Sequence, residues 1–301
     1  VATNAAPLLR TYNGPEFGLD RDGWAIYYTR QSPAGAYQAA RVRIRDGAPR
    51  LDILPGGELF SPLATQNPQA GSTRLLALRP ASAGWATAVW LDVATPEQQH
   101  EILSLPQRTF ADLRWIQGTL SFLTSKHPRY PEALSLVDTV TGAVTRIASP
   151  EGALDMPYGW KAPEVGGALQ ALVMVDDKRL QVWCQHEPGW ELLLSLESPE
   201  AEAGYPYLGS PEPFIAHGRS FVSMIVSNRR EVTPGQTDQH VWIASLDPAA
   251  PFAARCDDGE AGPRSRVDPE ATARNGFASV FYYTMETRGS RMFVCRAALP
   301  E

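Results

Sequence analysis

The sequence has little of what marks several common classes of protein. Only three of its 27 basic residues are lysine, and acidic residues outnumber basic ones by 33 to 27. No basic stripe runs along the chain, and a nucleic-acid groove needs one, so we expect no nucleic-acid partner. The longest apolar runs, such as residues 168–175, are far shorter than the ~20 residues that cross a membrane, so we expect no membrane span.

Cysteine, histidine and signature motifs are equally sparse. The cysteines are Cys184, Cys256 and Cys295, with no Cys-x-x-Cys pair, so they define neither a zinc site nor a disulfide framework and leave room for one bridge. The five histidines lack ligand spacing such as His-x-x-x-His. No Gly-x-Ser-x-Gly, phosphate-binding loop or dinucleotide fingerprint is present. No cofactor is therefore indicated by a motif.

Glycine and proline are abundant. They number 24 and 26 of 301 residues, which predicts many turns and few long helices. Apolar residues make up 44% of the chain and charged residues 20%, which is enough for a core and argues against wholesale disorder. No signal peptide is present, and residues 1–6 are typical of a processed mature end. This favours a secreted or periplasmic protein over a cytoplasmic one.

A three-residue piece that combines proline and an acid recurs about every fifty residues, with two weaker members, Ser61-Pro62-Leu63 and Phe110-Ala111-Asp112. Each copy is followed by a turn glycine and an apolar, β-rich run, and most copies then have a hairpin. Six units of four short strands fill the chain, which predicts one all-β domain over residues 1–301, a six-bladed β-propeller. Five blades are the alternative. The copies are Gly14-Pro15-Glu16, Ser61-Pro62-Leu63, Phe110-Ala111-Asp112, Ala162-Pro163-Glu164, Ser210-Pro211-Glu212 and Asp268-Pro269-Glu270.

The last unit is one strand short. It contains only the runs 267–273, 277–283 and 291–296, whereas the N-terminus has an unassigned run, Pro7–Tyr12. We therefore expect the N-terminal run to pair beside 291–296 as the outer strand of the last blade. Closure of this kind removes two exposed sheet edges.

Two stretches resemble known propellers. Residues 15–29, PEFGLDRDGWAIYYT, resemble the repeat of TolB-type propellers: a proline, a few residues, Asp-Gly, then a strand that ends near Thr or Ser. Residues 210–214 and 219–227 are similar to blades of propeller glycosidases. The resemblance implies a propeller at superfamily level and no particular activity, because propellers host binding proteins, hydrolases, lyases and lactonases.

Five of the six aligned positions carry a carboxylate. In a propeller the first strand of each blade lines the central channel, so these side chains are expected at one height around it. Like charges so close need compensation. A Ca²⁺, Mg²⁺ or Mn²⁺ ion, the interleaved side chains of Lys161 and Arg266, or one protonated carboxyl acting as general acid would supply it. A purely structural role, in which the piece caps its strand, stays open. The carboxylates are Glu16, Asp112, Glu164, Glu212 and Glu270.

Aromatic residues precede two of these pieces. Tyr158 and Trp160 lie before blade four and Tyr207 before blade five, where rings beside carboxylates suit the apolar faces of sugars. The alternative for Trp160 and Tyr207 is packing between blades. His127, in a loop of blade three, is a further candidate for ligand contact.

These patterns predict a soluble hydrolase or lyase that acts on a carbohydrate or similar polyhydroxylated ligand. A glycosidase needs a carboxylic acid and a second carboxylate as base or nucleophile. One alternative is a non-catalytic, TolB-like propeller that binds a protein or ligand. Another is a cation site as in six-bladed lactonases, although asparagine ligands are missing at the blade starts. The predicted catalytic residues are Glu164, Glu212 and Glu270, and the predicted ligand-binding residues are Glu16, Asp112, Tyr158, Trp160, Lys161, Tyr207, Arg266 and His127.

Overall fold

The computed structural model describes most of the chain. The described residues are 16–20, 23–45, 48–64, 74–82, 85–106, 113–116, 118–260, 262–286 and 289–300. The chain divides into two compact units, Val1–Arg146 and Ile147–Glu301, and each is described by itself.

The first unit is built from three four-stranded antiparallel sheets in which strands pair in chain order. Sheet one contains β1 (Glu16–Asp20), β2 (Gly23–Gln31), β3 (Tyr37–Arg45) and β4 (Ala48–Ile53). Sheet two contains β5 (Phe60–Ala64), β6 (Arg74–Pro80), β7 (Trp85–Asp92) and β8 (His100–Pro106). Sheet three contains β9 (Leu113–Trp115), β10 (Ser121–Thr124), β11 (Leu134–Asp138) and β12 (Val144–Ala148).

The second unit has two four-stranded sheets and one three-stranded sheet with the same simple order. Sheet four contains β13 (Leu154–Ala162), β14 (Ala168–Val175), β15 (Arg179–His186) and β16 (Gly189–Glu197). Sheet five contains β17 (Tyr207–Ala216), β18 (Arg219–Ser227), β19 (Gln239–Ser245) and β20 (Ala253–Arg255). Sheet six contains β21 (Ser265–Arg274), β22 (Phe277–Glu286) and β23 (Gly289–Ala298).

Tight turns explain why adjacent strands pair. β17 and β18 are joined by His217 and Gly218, and β21 and β22 by Asn275 and Gly276; all four residues have positive φ. Two-residue turns with positive φ at both positions match the right-handed twist of strands and favour Asn-Gly sequences. The local sequence therefore determines these hairpins.

Sheets pack face to face within each unit. In the second unit, Leu172 and Val182 of sheet four pack in one cluster with Val222 and Met224 of sheet five. The opposite face of sheet five joins sheet six through a second cluster that includes Phe221 and Ile225, and also Val280 and Tyr282. β18 is buried on both faces, which explains its nearly continuous apolar sequence. The first unit has two corresponding clusters, one containing Tyr27, Ala64 and Leu75 and the other Phe60, Trp115 and Phe122.

The architecture confirms the predicted fold class. Within the described ranges, six antiparallel sheets of about fifty residues each form the blades of a six-bladed β-propeller, and the five-bladed alternative is wrong. Among the described residues, the final unit supplies three strands to the last sheet, as predicted for that unit. The run Pro7–Tyr12, which we expect to complete it, lies outside the described residues, and so does Asp112. None of the described helices is long and apolar enough to cross a membrane.

One disulfide links two sheets of the second unit. Cys256, which follows β20, is bonded to Cys295 of β23, and Cys184 is free and buried. The single bridge agrees with the limit that three cysteines impose.

Candidate functional site

A β-bulge recurs in the first strand of four of the described sheets. At each bulge a residue with φ between 44° and 58° is followed directly by a proline. Positive φ in a non-glycine residue costs roughly 1–2 kcal/mol, and a bulge redirects the side chains that follow it. The repeated bulge therefore places the residue after each proline in an equivalent position. The bulges are Ser61-Pro62, Met156-Pro157, Ser210-Pro211 and Asp268-Pro269.

This geometry corrects the alignment of blade four. The prediction placed Glu164 in the position shared with Glu212 and Glu270, but the structure places Tyr158 there. Glu164 lies beyond the end of β13, in a single 3₁₀ turn over Pro163–Val165. Proline is tolerated at the start of such a turn because the N–H that it lacks would have no partner there. We call Tyr158, Glu212 and Glu270 the bulge row.

The first two members of the bulge row are directly bonded. The hydroxyl of Tyr158 donates to Oε1 of Glu212 at 2.5 Å. Tyr158 lies opposite Leu172, on the face of sheet four that packs against sheet five, so its ring extends toward β17. A hydroxyl–carboxylate bond of this length is charge-assisted and is about twice as strong as a neutral one. It holds the half-buried Glu212 carboxylate in a defined position.

A serine links the second and third members. Ser223 is the cross-strand partner of Glu212, and its hydroxyl donates to the main-chain oxygen of Pro269 at 2.5 Å. The same hydroxyl lies 3.4 Å from the main-chain oxygen of Glu212. The bulges of sheets five and six are thus joined at one side chain, and Glu270 follows Pro269 with its side chain exposed. Sequence reasoning missed Ser223, because nothing in the sequence distinguishes this serine in an apolar strand.

Trp160 and Arg266 are buried in the interior of the second unit. Trp160 is 4% exposed, and its indole N–H donates to the hydroxyl of Ser220 at 2.8 Å, so it packs between sheets four and five. Arg266 is fully buried and donates to Asp258 and to the main-chain oxygen of Gln239. Burial favours the alternative of packing between blades for Trp160 and an internal ion pair for Arg266, and contact of these residues with a ligand stays a prediction.

Lys161 and Tyr207 are closer to solvent. Lys161 is exposed, and strand alternation puts it on the opposite face of β13 from Trp160. Tyr207 is the first residue of β17 and is half-buried, with the ammonium of Lys178 5.5 Å from the centre of its ring.

The predicted residues of the first unit lie in separate places. Glu16 is the first residue of β1, half-buried and opposite Tyr27. His127 lies in the turn between β10 and β11, where its Nδ1 accepts the N–H of Arg129 at 3.1 Å. Burial lowers the pKa of His127, and the charge of Arg129 lowers it further. Leu63, in the equivalent bulge, is buried.

A charged network near the start of β17 was also missed. His240 is nearly buried; its Nδ1 contacts Oε2 of Glu200, and its ring stacks on Tyr205 at 4.5 Å. Tyr205 donates to Asp238 at 2.8 Å, and burial, followed by this bond, raises the pKa of Tyr205. These residues come from separate segments of the sequence, so no local motif predicts the network. The network holds the loop before β17 and the loop before β19 together.

The Glu212 carboxylate of the bulge row is stabilised by a hydrogen bond from the Tyr158 hydroxyl. In the part of the chain that the structure describes, no three His, Cys, Asp or Glu side chains are placed to hold a metal ion. The row combines a positioned carboxylate, an exposed carboxylate and an aromatic ring, which suits recognition of hydroxyl groups and proton transfer.

Comparison with known proteins finds likeness only in structure. No family model matches the chain, and no curated protein matches it. The N-terminal domain of Nup159 is similar, with a TM-score of 0.51 and 11% identity over 99% of this chain and 83% of that one. A post-proline cleaving enzyme from Rickettsia typhi has a TM-score of 0.50 and 11% identity over 98% of this chain and 47% of that one.

A protein assigned as TolB from Agrobacterium tumefaciens is also similar, with a TM-score of 0.47 and 13% identity over 79% of each chain. At such low identity the matches establish the fold alone. The chain therefore has a β-propeller fold, and these structures do not assign it an activity.

Proposed function

We propose that the chain binds a polyhydroxylated ligand of the carbohydrate class at the bulge row and acts on it as a hydrolase or lyase. The observation that carries the proposal is the hydrogen bond from Tyr158 to Glu212, which positions one carboxylate beside the bulge that bears another, Glu270. Carbohydrate cleavage requires two carboxyl groups with different roles.

The two carboxylates differ in their surroundings. Glu212 is half-buried and accepts a hydrogen bond from a hydroxyl, which suits a base or nucleophile, whereas Glu270 is exposed at the next bulge and takes the role of the acid in this proposal. The rings of Tyr158 and Tyr207 supply apolar surface for the faces of a sugar. Glu164 has no part in this site, because it lies in the turn that follows β13.

The test is Glu212→Gln, which keeps the shape and hydrogen-bonding capacity but removes the charge and the transferable proton. Glu197→Gln, at the exposed end of β16, is the matched control. Wild type and both variants are screened for binding to a glycan array and for cleavage of a panel of glycosides and uronides. Loss of cleavage in Glu212→Gln alone, with an unchanged melting temperature, supports the enzyme. Unchanged binding and cleavage with a lowered melting temperature overturn the proposal.

The second candidate is a non-catalytic binding propeller. It is favoured by the position of Tyr158, whose hydroxyl already occupies Oε1 of Glu212 and leaves that carboxylate better suited to accept ligand hydroxyls than to attack. In this case wild type binds a glycan without cleaving it, and Glu212→Gln weakens binding by tenfold or more.

A further inference from the structure

The second strand of sheet five departs from the pattern of the other bulged sheets. In each of these four sheets, the residue that follows the bulge proline has a directly opposed partner on the second strand. In sheets two, four and six this partner is a large apolar residue, whereas in sheet five it is a serine. The four partners are Leu76, Leu172, Ser223 and Phe281. A serine thus stands where packing alone favours a large apolar side chain.

The surroundings of Ser223 are apolar. Ser223 is fully buried, and strand alternation puts it on the same face of β18 as Phe221 and Ile225, which pack against sheet six. A buried hydroxyl is unfavourable unless it is hydrogen-bonded. In natural proteins, departures from a local sequence rule are expected at functional or strained sites. The position of Ser223 beside the bulge row therefore points to a role in that site.

The hydroxyl of Ser223 binds a main-chain group of the next bulge. The pairing of β21 with β22 is interrupted between Val267 and Glu270, so Pro269 lies where the regular ladder is broken. Ser223 donates to the main-chain oxygen of Pro269 at 2.5 Å, and its contact with the main-chain oxygen of Glu212 is longer, at 3.4 Å. A hydroxyl has one proton to donate, so Pro269 is its main partner. The bulge that bears Glu270 is thus held by the strand that pairs with Glu212.

We propose that Ser223 is a positioning residue of the bulge row, which fixes the bulge of Glu270 relative to the Glu212 carboxylate. Tyr158 of sheet four holds Glu212, and Ser223 of sheet five holds the bulge of Glu270, so one hydroxyl fixes the row at each of these two junctions between sheets. The expected effect on turnover rests on the proposed function, because it concerns the placement of the two carboxyl groups of that site.

The first experiment needs no ligand. The full chain is labelled with ¹³C at the glutamate carboxyl carbons, and Glu212→Gln and Glu270→Gln identify two of the NMR signals. In Ser223→Ala we expect the Glu270 signal to shift and broaden, because its bulge loses the hydrogen bond. The matched control is Ser220→Ala, since Ser220 is also buried on β18 but accepts the indole N–H of Trp160 from sheet four. The control should leave the Glu270 signal at its wild-type position.

The second experiment uses the substrate that is found for the wild type. Ser223→Ala should lower kcat about tenfold and change KM by less than about twofold, because a displaced carboxyl group affects the transition state more than substrate binding. Ser220→Ala should keep wild-type kinetics. Both variants should have a lower melting temperature, since each loses one buried hydrogen bond. Ser223→Thr, which retains the hydroxyl, should restore kcat and the Glu270 signal.

Two results overturn the inference. One is that Ser223→Ala keeps the wild-type Glu270 signal, and the other is that Ser220→Ala moves this signal as far. The Ser223 bond would then serve packing alone, as a bond can in the first unit, where Thr29 Oγ1 accepts the Ser61 N–H at 2.7 Å beside a bulge that bears the buried Leu63. Failure of the proposed function is a different result: the wild type neither binds nor cleaves any glycan of the panel, and the carboxyl signals still decide whether Ser223 fixes the bulge.

Discussion

Glu212 and Glu164 occupy the same position in the sequence motif, but they lie in different backbone environments in the structure. Each follows a proline in a recurring three-residue piece. Glu212 comes after a bulge in the middle of β17 and accepts a hydrogen bond from Tyr158, whereas Glu164 lies in the turn beyond β13 with both oxygens buried and no hydrogen bond. A repeated proline therefore marks the repeat without specifying the backbone conformation around it.

The same contrast appears two residues apart on β13. Tyr158 and Trp160 lie on one face of the strand, and each donates to sheet five, Tyr158 to Glu212 and Trp160 to Ser220. Tyr158 stays half-buried at the bulge row, and Trp160 is enclosed. Substitutions at these positions and their neighbours should separate a site residue from a packing residue.

The largest effect is expected for Trp160→Ala. Removing a buried tryptophan costs about 3–5 kcal/mol of stability, because a cavity forms in the interface between sheets four and five. Urea unfolding measures this loss of stability when it is followed by far-UV circular dichroism and not by tryptophan fluorescence. Trp160→Phe, which keeps a ring and loses the bond to Ser220, should cost less. A loss below about 1 kcal/mol for the alanine variant would place Trp160 among surface residues.

Arg266→Met should cost about 3 kcal/mol, because it removes the fully buried partner of Asp258 and leaves that carboxylate paired with Arg264 alone. Burial alone would raise the pKa of Asp258, but the hydrogen bond and charge of Arg266 outweigh it and hold that pKa below its usual range. A carboxyl whose pKa is depressed by folding stabilises the fold above its unfolded pKa, about 4, and loses this contribution as pH falls through the lower, folded value. Unfolding from pH 2 to 7 should show a shallower acid dependence in Arg266→Met; an identical one contradicts the pairing.

Tyr158→Phe removes only the hydroxyl that holds Glu212. Stability should fall by about 1 kcal/mol, because the bond is partly exposed and water replaces it. Ligand affinity or turnover should fall about tenfold, since the carboxylate loses its fixed position. Titration calorimetry with the ligand that is found for the wild type measures this change in affinity. A stability loss as large as that of Trp160→Ala, with unchanged binding, would make Tyr158 a packing residue too.

The smallest effect is expected for Lys161→Ala. Lys161 lies between Trp160 and the Pro163–Val165 turn but is exposed on the opposite face of β13. Surface changes of this kind alter stability by roughly 0.5 kcal/mol or less. Thermal unfolding and ligand binding should both match wild type. A clear loss of binding would restore Lys161 to the ligand site that the sequence suggested.

Local sequence was sufficient for the strands and poor for the site. The apolar runs and the turn glycine before each of them predicted strands joined by tight turns, and the three strands of the final unit were predicted by counting. The place of Glu164 was wrong, because Met156-Pro157-Tyr158 makes the bulge without an acid and so escaped an alignment based on acids. Ser223 and the network around His240 could not be predicted, because their partners come from distant segments.

By itself the sequence determined the order of the strands in the described sheets, since hydrophobic runs and turn chemistry act over a few residues. Only the tertiary structure decided which polar groups face one another. Arg266 finds Asp258 and Tyr158 finds Glu212 through sheets that pack after the strands have formed, and burial then selects which of these contacts are interior and which are open. Contacts between side chains of different sheets depend on how the sheets pack, so the spacing of residues along the chain does not predict them.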